Sequence, residues 1–157
     1  CLQTVFFLPR VSLGRAQVVW DITIPILACG TFDERGKSAV EVETNGSYPV
    51  PLYEHCMWSI DIKCPSSANS EYNCYGNLQK LGYFTDQVKF VISDRQDFDF
   101  AISVLNKYHT KAKVLFQPAW DIMDPKELVK WIKSDYPEGR LSMQIHKILY
   151  GANRRGI

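Results

Sequence analysis

Five clusters of hydrogen-bonding side chains punctuate the sequence from residue 43 onward: Glu43-Thr44-Asn45-Gly46, Asp61-Ile62-Lys63, Ser93-Asp94, Gln117-Pro118 and Gln144-Ile145-His146-Lys147. Nearly all of these side chains donate or accept hydrogen bonds, so the chemistry they offer is ligand binding. Residue type alone does not name the ligand, because strands end at solvent and polar ends are common. Other chemistries find less support. There is no Gly-x-Ser-x-Gly elbow, and the one adjacent histidine–cysteine pair, His55-Cys56, reads better as a strand start. A phosphate-binding glycine loop is absent. His55, His109 and His146 are too scattered in sequence for a metal triad, and no Cys-x-x-Cys pair suggests a zinc ribbon or a dithiol.

The elements that must position these clusters follow from the hydrophobic pattern. In "SAVEVETNGSYPVP", residues 38–51, Val40 and Val42 alternate with Glu41 and Glu43. This predicts a strand over 38–44, broken at Asn45-Gly46, where positive φ angles allow a sharp reversal. "CMWSIDI", 56–62, predicts a buried strand, and the Ser/Asn/Gly-rich "KCPSSANSEYNCYGN" after it a long loop. "QVKFVIS", 87–93, predicts a strand that leads into a helix capped by Ser93 or Asp94, with Phe98, Ala101, Ile102 and Leu105 at helical spacing. "AKVLFQP", 112–118, is the next strand. Asp124-Pro125 then opens a second helix that buries Leu128, Val129, Trp131 and Ile132. "RLSMQIH", 140–146, reads as the last strand.

Strands alternating with amphipathic helices imply a parallel α/β sheet with right-handed crossovers. The carboxyl ends of parallel strands converge on one rim, where barrels of this class bind ligands. The five polar clusters fall on that rim. The first 37 residues lack clean periodicity and read as a strand or helix leading into the sheet.

Bulk composition narrows the class. With 157 residues, 46% of them hydrophobic, the chain has enough apolar surface for one folded domain. Its net charge of +1 argues against direct nucleic-acid binding, and no apolar run reaches membrane-spanning length. Five irregularly spaced cysteines and no secretory signal predict reduced thiols and a cytoplasmic location.

"VETNGS", "WSIDIKCPSS", "QVKFVI", "VLFQPAWD", "DPKELVKWI" and above all "RLSMQIHKILYGANRRGI" resemble the C-terminal half of the 7-carboxy-7-deazaguanine synthase family, over residues 36–157. The resemblance implies a partial (β/α) barrel of the radical S-adenosylmethionine type, with parallel strands and flanking helices. It implies S-adenosylmethionine, a four-iron–four-sulfur cluster and Mg²⁺ as cofactors. The implied reaction, in queuosine and deazapurine biosynthesis, converts 6-carboxy-5,6,7,8-tetrahydropterin to 7-carboxy-7-deazaguanine by a radical ring contraction that loses ammonia. The small-molecule pterin is the implied partner, and the family is usually homodimeric. By motif, Glu43 and Asn45, then Asp61, Ile62 and Lys63, then Gln117, Pro118, Ala119 and Trp120 are implied to contact S-adenosylmethionine. Lys63 matches the family's Ser-Pro-Lys-like segment, while Asp61 and Ile62 depart from it. Gln144 and His146 are implied on the pterin side.

Other departures shape the expectation. The family's Cys-x-x-x-Cys-x-x-Cys loop, which supplies the three thiolates of the cluster, is missing from these residues, and Cys1 does not replace it. The expected Gly-Gly-Glu-Pro segment is replaced by "LGRAQVVWD", 13–21. Codons for Gly14-Arg15-Ala16-Gln17 read one nucleotide later spell Gly-Glu-Pro, so part of residues 1–30 is expected to be out of frame or a damaged fragment end. Residues 1–35 thus form a poorly matched segment, and the chain alone is expected to be incomplete, inactive and without metal ligands. Two other classes stay open: a non-catalytic α/β nucleoside-binding module, and a different radical S-adenosylmethionine activase.

Overall fold

The computed structural model describes residues 18–19, 26–32, 38–51, 56–82 and 85–151. Within these residues seven strands form one sheet in chain order. They are β1 (Val18–Val19), β2 (Ile26–Phe32), β3 (Ser38–Thr44), β4 (Cys56–Ile62), β5 (Gln87–Ile92), β6 (Lys113–Pro118) and β7 (Arg140–Leu141). β3 through β7 run parallel, as the alternation of strands and helices predicts. The loosely patterned opening region adds β1 and β2 to the β3 edge as antiparallel strands. Residues 1–17, 20–25 and 33–37, where most of the expected frame change falls, lie outside the described residues.

Period-two alternation sorts the strand residues onto two faces. Even-numbered side chains form the core: Val42, Ile60, Ile62, Val88, Phe90, Ile92, Val114 and Phe116 are all buried. Two helices cover that face. α1 (Arg95–Lys107) contributes Phe98, Ala101, Val104 and Leu105, and α2 (Pro125–Asp135) contributes Leu128 and Ile132. Both start as predicted. Asp94 accepts from the Asp97 N–H at 2.9 Å, and Asp124 accepts from the Lys126 N–H at 2.9 Å ahead of Pro125. Caps of this kind stabilise a helix by about 1 kcal/mol each.

Phe116 is the centre of an aromatic cluster, with Phe98 at 5.1 Å, Phe90 at 6.0 Å and Tyr136 edge-on at 5.9 Å between ring centroids. Gly139 lets the chain pass over this ring into β7, since a Cβ there would meet Phe116 at 2.6 Å.

The last strand is shorter than predicted. β7 ends at Leu141, and a helix, α3 (Ile145–Tyr150), takes over where a strand through residue 146 is expected. The spacing Ile145, Ile148, Leu149 is helical, and Gly151 at φ 82° stops the helix. Polar tips at 144–147 therefore belong to a strand-to-helix junction rather than to a strand end. No helix among the described residues is long and apolar enough to cross a membrane.

Candidate functional site

The odd-numbered strand residues occupy the face away from α1 and α2, and that face is polar. Gln87 Nε2 donates to Glu41 Oε1 at 3.1 Å across the intervening strand β4. Asp61 stands opposite Lys89, and Val91 opposite Gln117. Because side chains two apart in a strand share a face, Lys63 lies beside Asp61, and its Nζ donates to Asp61 Oδ2 at 2.6 Å. The Asp61 and Lys63 side chains are 22% and 34% exposed. Asp61 Oδ1 is buried and has no hydrogen-bond partner among the described residues. An acceptor left in that condition costs free energy until a donor reaches it.

Thr44 and Gly46 close a local turn, with the Gly46 N–H donating to Thr44 Oγ1, and Gly46 takes the positive φ of 66°. Asn45 is already engaged: its Oδ1 accepts from the Ser47 N–H and hydroxyl at 3.2 and 2.9 Å. Glu43 is half-buried, on the same face as Asp61. Ile62 lies on the opposite face, wholly buried in the core, so only its backbone reaches the rim. Gln117 is 7% exposed at the end of β6, where its registered neighbour is Val91.

Beyond β6 the chain turns tightly. The Ala119 N–H donates to the Ile92 carbonyl at 2.8 Å, and Asp121 adopts φ 57°. A cleft of about 340 Å³ opens here, lined by Pro118, Ala119, Trp120, Met123, Met143 and Gln144 among others. It joins residues implied for the cofactor with Gln144, implied for the substrate. Gln144 Oε1 is a second buried acceptor without a partner among the described residues. Lys147 stands 5.7 Å over the Trp120 ring, which ties α3 to the turn. His146 belongs to α3, and its side chain lies outside the described residues.

Three residues that organise the rim carry no signal in local sequence. Asp97, wholly buried in the first turn of α1, accepts from the Ser66 N–H and the Ser93 N–H at 3.0 Å each, and so ties the ends of β4 and β5 together. Asn77, also wholly buried, accepts from the Val50 N–H and donates to the Tyr48 and Gly46 carbonyls, pinning the segment after β3. Asn73 brackets the backbone of Lys63. The three residues lie 10 to 31 positions from most of these partners.

No family model matches the chain. Curated proteins do, and they agree with one another. The 7-carboxy-7-deazaguanine synthase of Leptospira interrogans is 31% identical over 74% of this chain and 50% of its own length. The synthase of Koribacter versatilis is 30% identical over 75% of this chain and 59% of its own length. The one from Thermoplasma acidophilum is 32% identical over 75% and 56%. Three further relatives, at 27% to 32% identity, carry the same name. The chain is a distant relative of the 7-carboxy-7-deazaguanine synthases. It spans between 46% and 65% of the length of these relatives.

A 7-carboxy-7-deazaguanine synthase is expected to use S-adenosylmethionine and an iron–sulfur cluster, and the described residues fit the two unequally. A cluster needs closely spaced thiolates. The cysteines whose side chains are described are Cys56, Cys64 and Cys74, and among the described residues no group of three or more His, Cys, Asp or Glu stands together as a metal site. Burial, reinforced by the Asp97 and Asp61 carboxylates, pushes the Cys64 thiol well above its ordinary value, the opposite of what a thiolate ligand requires. The described residues therefore do not fit the cluster. They do offer a polar ligand both donors and acceptors: Asp61 and Lys63 lie at the end of β4, and the cleft with Gln144 lies beyond β6 and β7, without Asp61 or Lys63 in its lining.

Proposed function

We propose that this rim holds S-adenosylmethionine, with a pterin-type bicyclic substrate beside it, in the reaction for which the relatives are named. That reaction is the radical ring contraction of 6-carboxy-5,6,7,8-tetrahydropterin to 7-carboxy-7-deazaguanine, a carbon–nitrogen lyase step. Residues 36–157 carry the binding part of that role, and with no cluster ligands among the described residues the chain alone is read as inactive. S-adenosylmethionine would yield its radical only after accepting one electron from an iron–sulfur cluster, for which the described residues offer no ligands; the residues of this chain would bind, orient and shield.

Lys63 offers its ammonium to the methionine carboxylate, and Asp61 and Glu43 accept from donors of the ligand. Gln117 has an amide able to do either. The cleft after β6 takes the flat apolar part of the nucleoside against Trp120 and Met123. Gln144 presents its acceptor to the substrate at the junction of β7 and α3. His146 belongs to the same substrate side. The observation that carries this reading is the meeting of Pro118, Ala119 and Trp120 with Gln144 around a single cleft, in a chain whose relatives share one name.

Calorimetric titration of the chain with S-adenosylmethionine tests the reading. Saturable binding is expected, weakened about tenfold, or 1.4 kcal/mol, by Lys63→Met. No saturable heat, or equal affinity in the variant, rejects it.

A further inference from the structure

We propose that Asn73 is the positioning residue of the site: it sets the backbone at Lys63 and thereby aims the ammonium. This rests on the assignment of Lys63 to the cofactor given above. The ladder between β3 and β4 ends at the pair Thr44–Ile60, so Lys63 lies beyond the last strand neighbour on that side, where the Cys74 N–H, one residue after Asn73, donates to the Gly46 carbonyl at 2.9 Å. Asn73 takes the neighbour's place. Its Oδ1 accepts from the Lys63 N–H at 2.9 Å, and its Nδ2 donates to the Lys63 carbonyl at 2.8 Å. One planar amide thus satisfies both backbone groups of one residue, the pattern that a paired strand would supply.

The amide is itself held. Nδ2 also donates to the Ser70 carbonyl at 2.9 Å, and the Tyr75 hydroxyl lies 3.3 Å away. Ser70 and Tyr75 belong to two short 3₁₀ turns, Ser70–Tyr72 and Tyr75–Lys80, which frame Asn73 on either side. The Ser/Asn-rich loop after β4 is therefore not a bare connection. It returns a side chain to the strand it has just left. With the backbone fixed, Lys63 directs its side chain to the Asp61 face, where Nζ lies 2.6 Å from Oδ2. Without Asn73 the last turn of the strand would lose both bonds, and the lysine would be free to swing from the rim.

A bond to the backbone affects ligand binding only through the residue it holds, which makes a double-mutant cycle the right test. S-adenosylmethionine affinity is measured for the unsubstituted chain, Asn73→Ala, Lys63→Met and the double variant. Asn73→Ala is expected to lose about tenfold in affinity, and the double variant to bind no more weakly than Lys63→Met alone. Asn73→Asp keeps the acceptor for the Lys63 N–H and removes the donor; it is expected to fall between the unsubstituted chain and Asn73→Ala, and it serves if the alanine variant does not fold. Amide hydrogen exchange at Lys63 should quicken in Asn73→Ala, a readout independent of any ligand.

A purely structural role would weaken binding by the same factor with or without Lys63, and such additivity overturns the proposal. Unchanged Lys63 exchange, or unchanged affinity in Asn73→Ala, does so too. If Lys63→Met itself binds as tightly as the unsubstituted chain, or the unsubstituted chain does not bind, the assignment of Lys63 is what fails, and this inference falls with it.

Discussion

Gly46 and Ile60 stand closer than any side chain at position 46 allows. A Cβ on Gly46 would lie 2.5 Å from Ile60 Cγ2, and the glycine holds φ at +66°. Ile60 is wholly buried beneath the β3–β4 pairing, so it has no room to give. Gly46→Ala combines a left-handed backbone penalty with overpacking, and is expected to cost about 2 to 4 kcal/mol. Urea unfolding of the variant measures this; a loss below about 0.5 kcal/mol would mean that the turn relaxes freely.

The ion pair of Asp61 and Lys63 is a matter of binding more than of stability. Both side chains retain some solvent access, 22% and 34%, and pairs of that kind contribute about 0 to 1 kcal/mol to folding. Asp61→Asn is therefore expected to leave the urea midpoint nearly unchanged. Its affinity for S-adenosylmethionine should nonetheless fall, by roughly tenfold, because an anionic acceptor on the rim becomes neutral. Parallel unfolding and titration curves separate the two effects.

Cys64 should be the slowest of the described thiols to alkylate. It is 3% exposed, and its environment disfavours the thiolate, first through burial and then through Asp97 and Asp61. Iodoacetamide at pH 8 with mass-spectrometric readout should modify Cys56 and Cys74, both half-buried, well before Cys64. The raised thiol also makes stability depend on pH. The folded thiol stays protonated while the unfolded one ionises near its ordinary value of 9.0, so its contribution is intact below pH 9 and declines as pH rises further. Cys64→Ala should flatten that alkaline decline.

Arg95 clamps α1 to α2. Its guanidinium lies 5.4 Å from the Phe98 ring and 5.3 Å from Trp131, and donates to Asp99 at 2.9 Å and Asp135 at 2.6 Å. The side chain is 48% exposed, so the ionic share is weakened by salt while the stacking share is not. Arg95→Ala is expected to cost about 1 kcal/mol at low salt, and Arg95→Lys to recover little of it, since lysine lacks the planar fork. Urea titrations with and without added salt check both statements.

Much of the scaffold was legible in short stretches of sequence. Alternating valines and glutamates in 38–44 and the apolar run 56–62 coincide with β3 and β4, and Asp94 and Asp124 cap the helices that their neighbours predict. The last element departs from that local pattern. The strand expected over 140–146 ends at Leu141, and the helical spacing of Ile145, Ile148 and Leu149 forms α3 instead. The polar residues at the tips of β3, β4 and β6 stand where the pattern predicts, and polarity also continues down one whole face of the sheet, as the Glu41–Gln87 bond shows. Period-two alternation sends the Ile62 side chain, between Asp61 and Lys63, into the core and leaves only its backbone at the rim.

The sequence alone determined the order of strands and helices, their caps and the polarity of the residues at the strand ends, because periodicity and capping act within a few residues. Only the tertiary structure decided which of those residues meet. Asn73 reaches back to Lys63, Asn77 to the segment after Gly46, Asp97 to Ser66, and the turn after β6 comes to lie beside Gln144. Each of these is a contact between groups well separated along the chain. Its geometry is set by the packing of sheet against helix, which no local pattern of residues records.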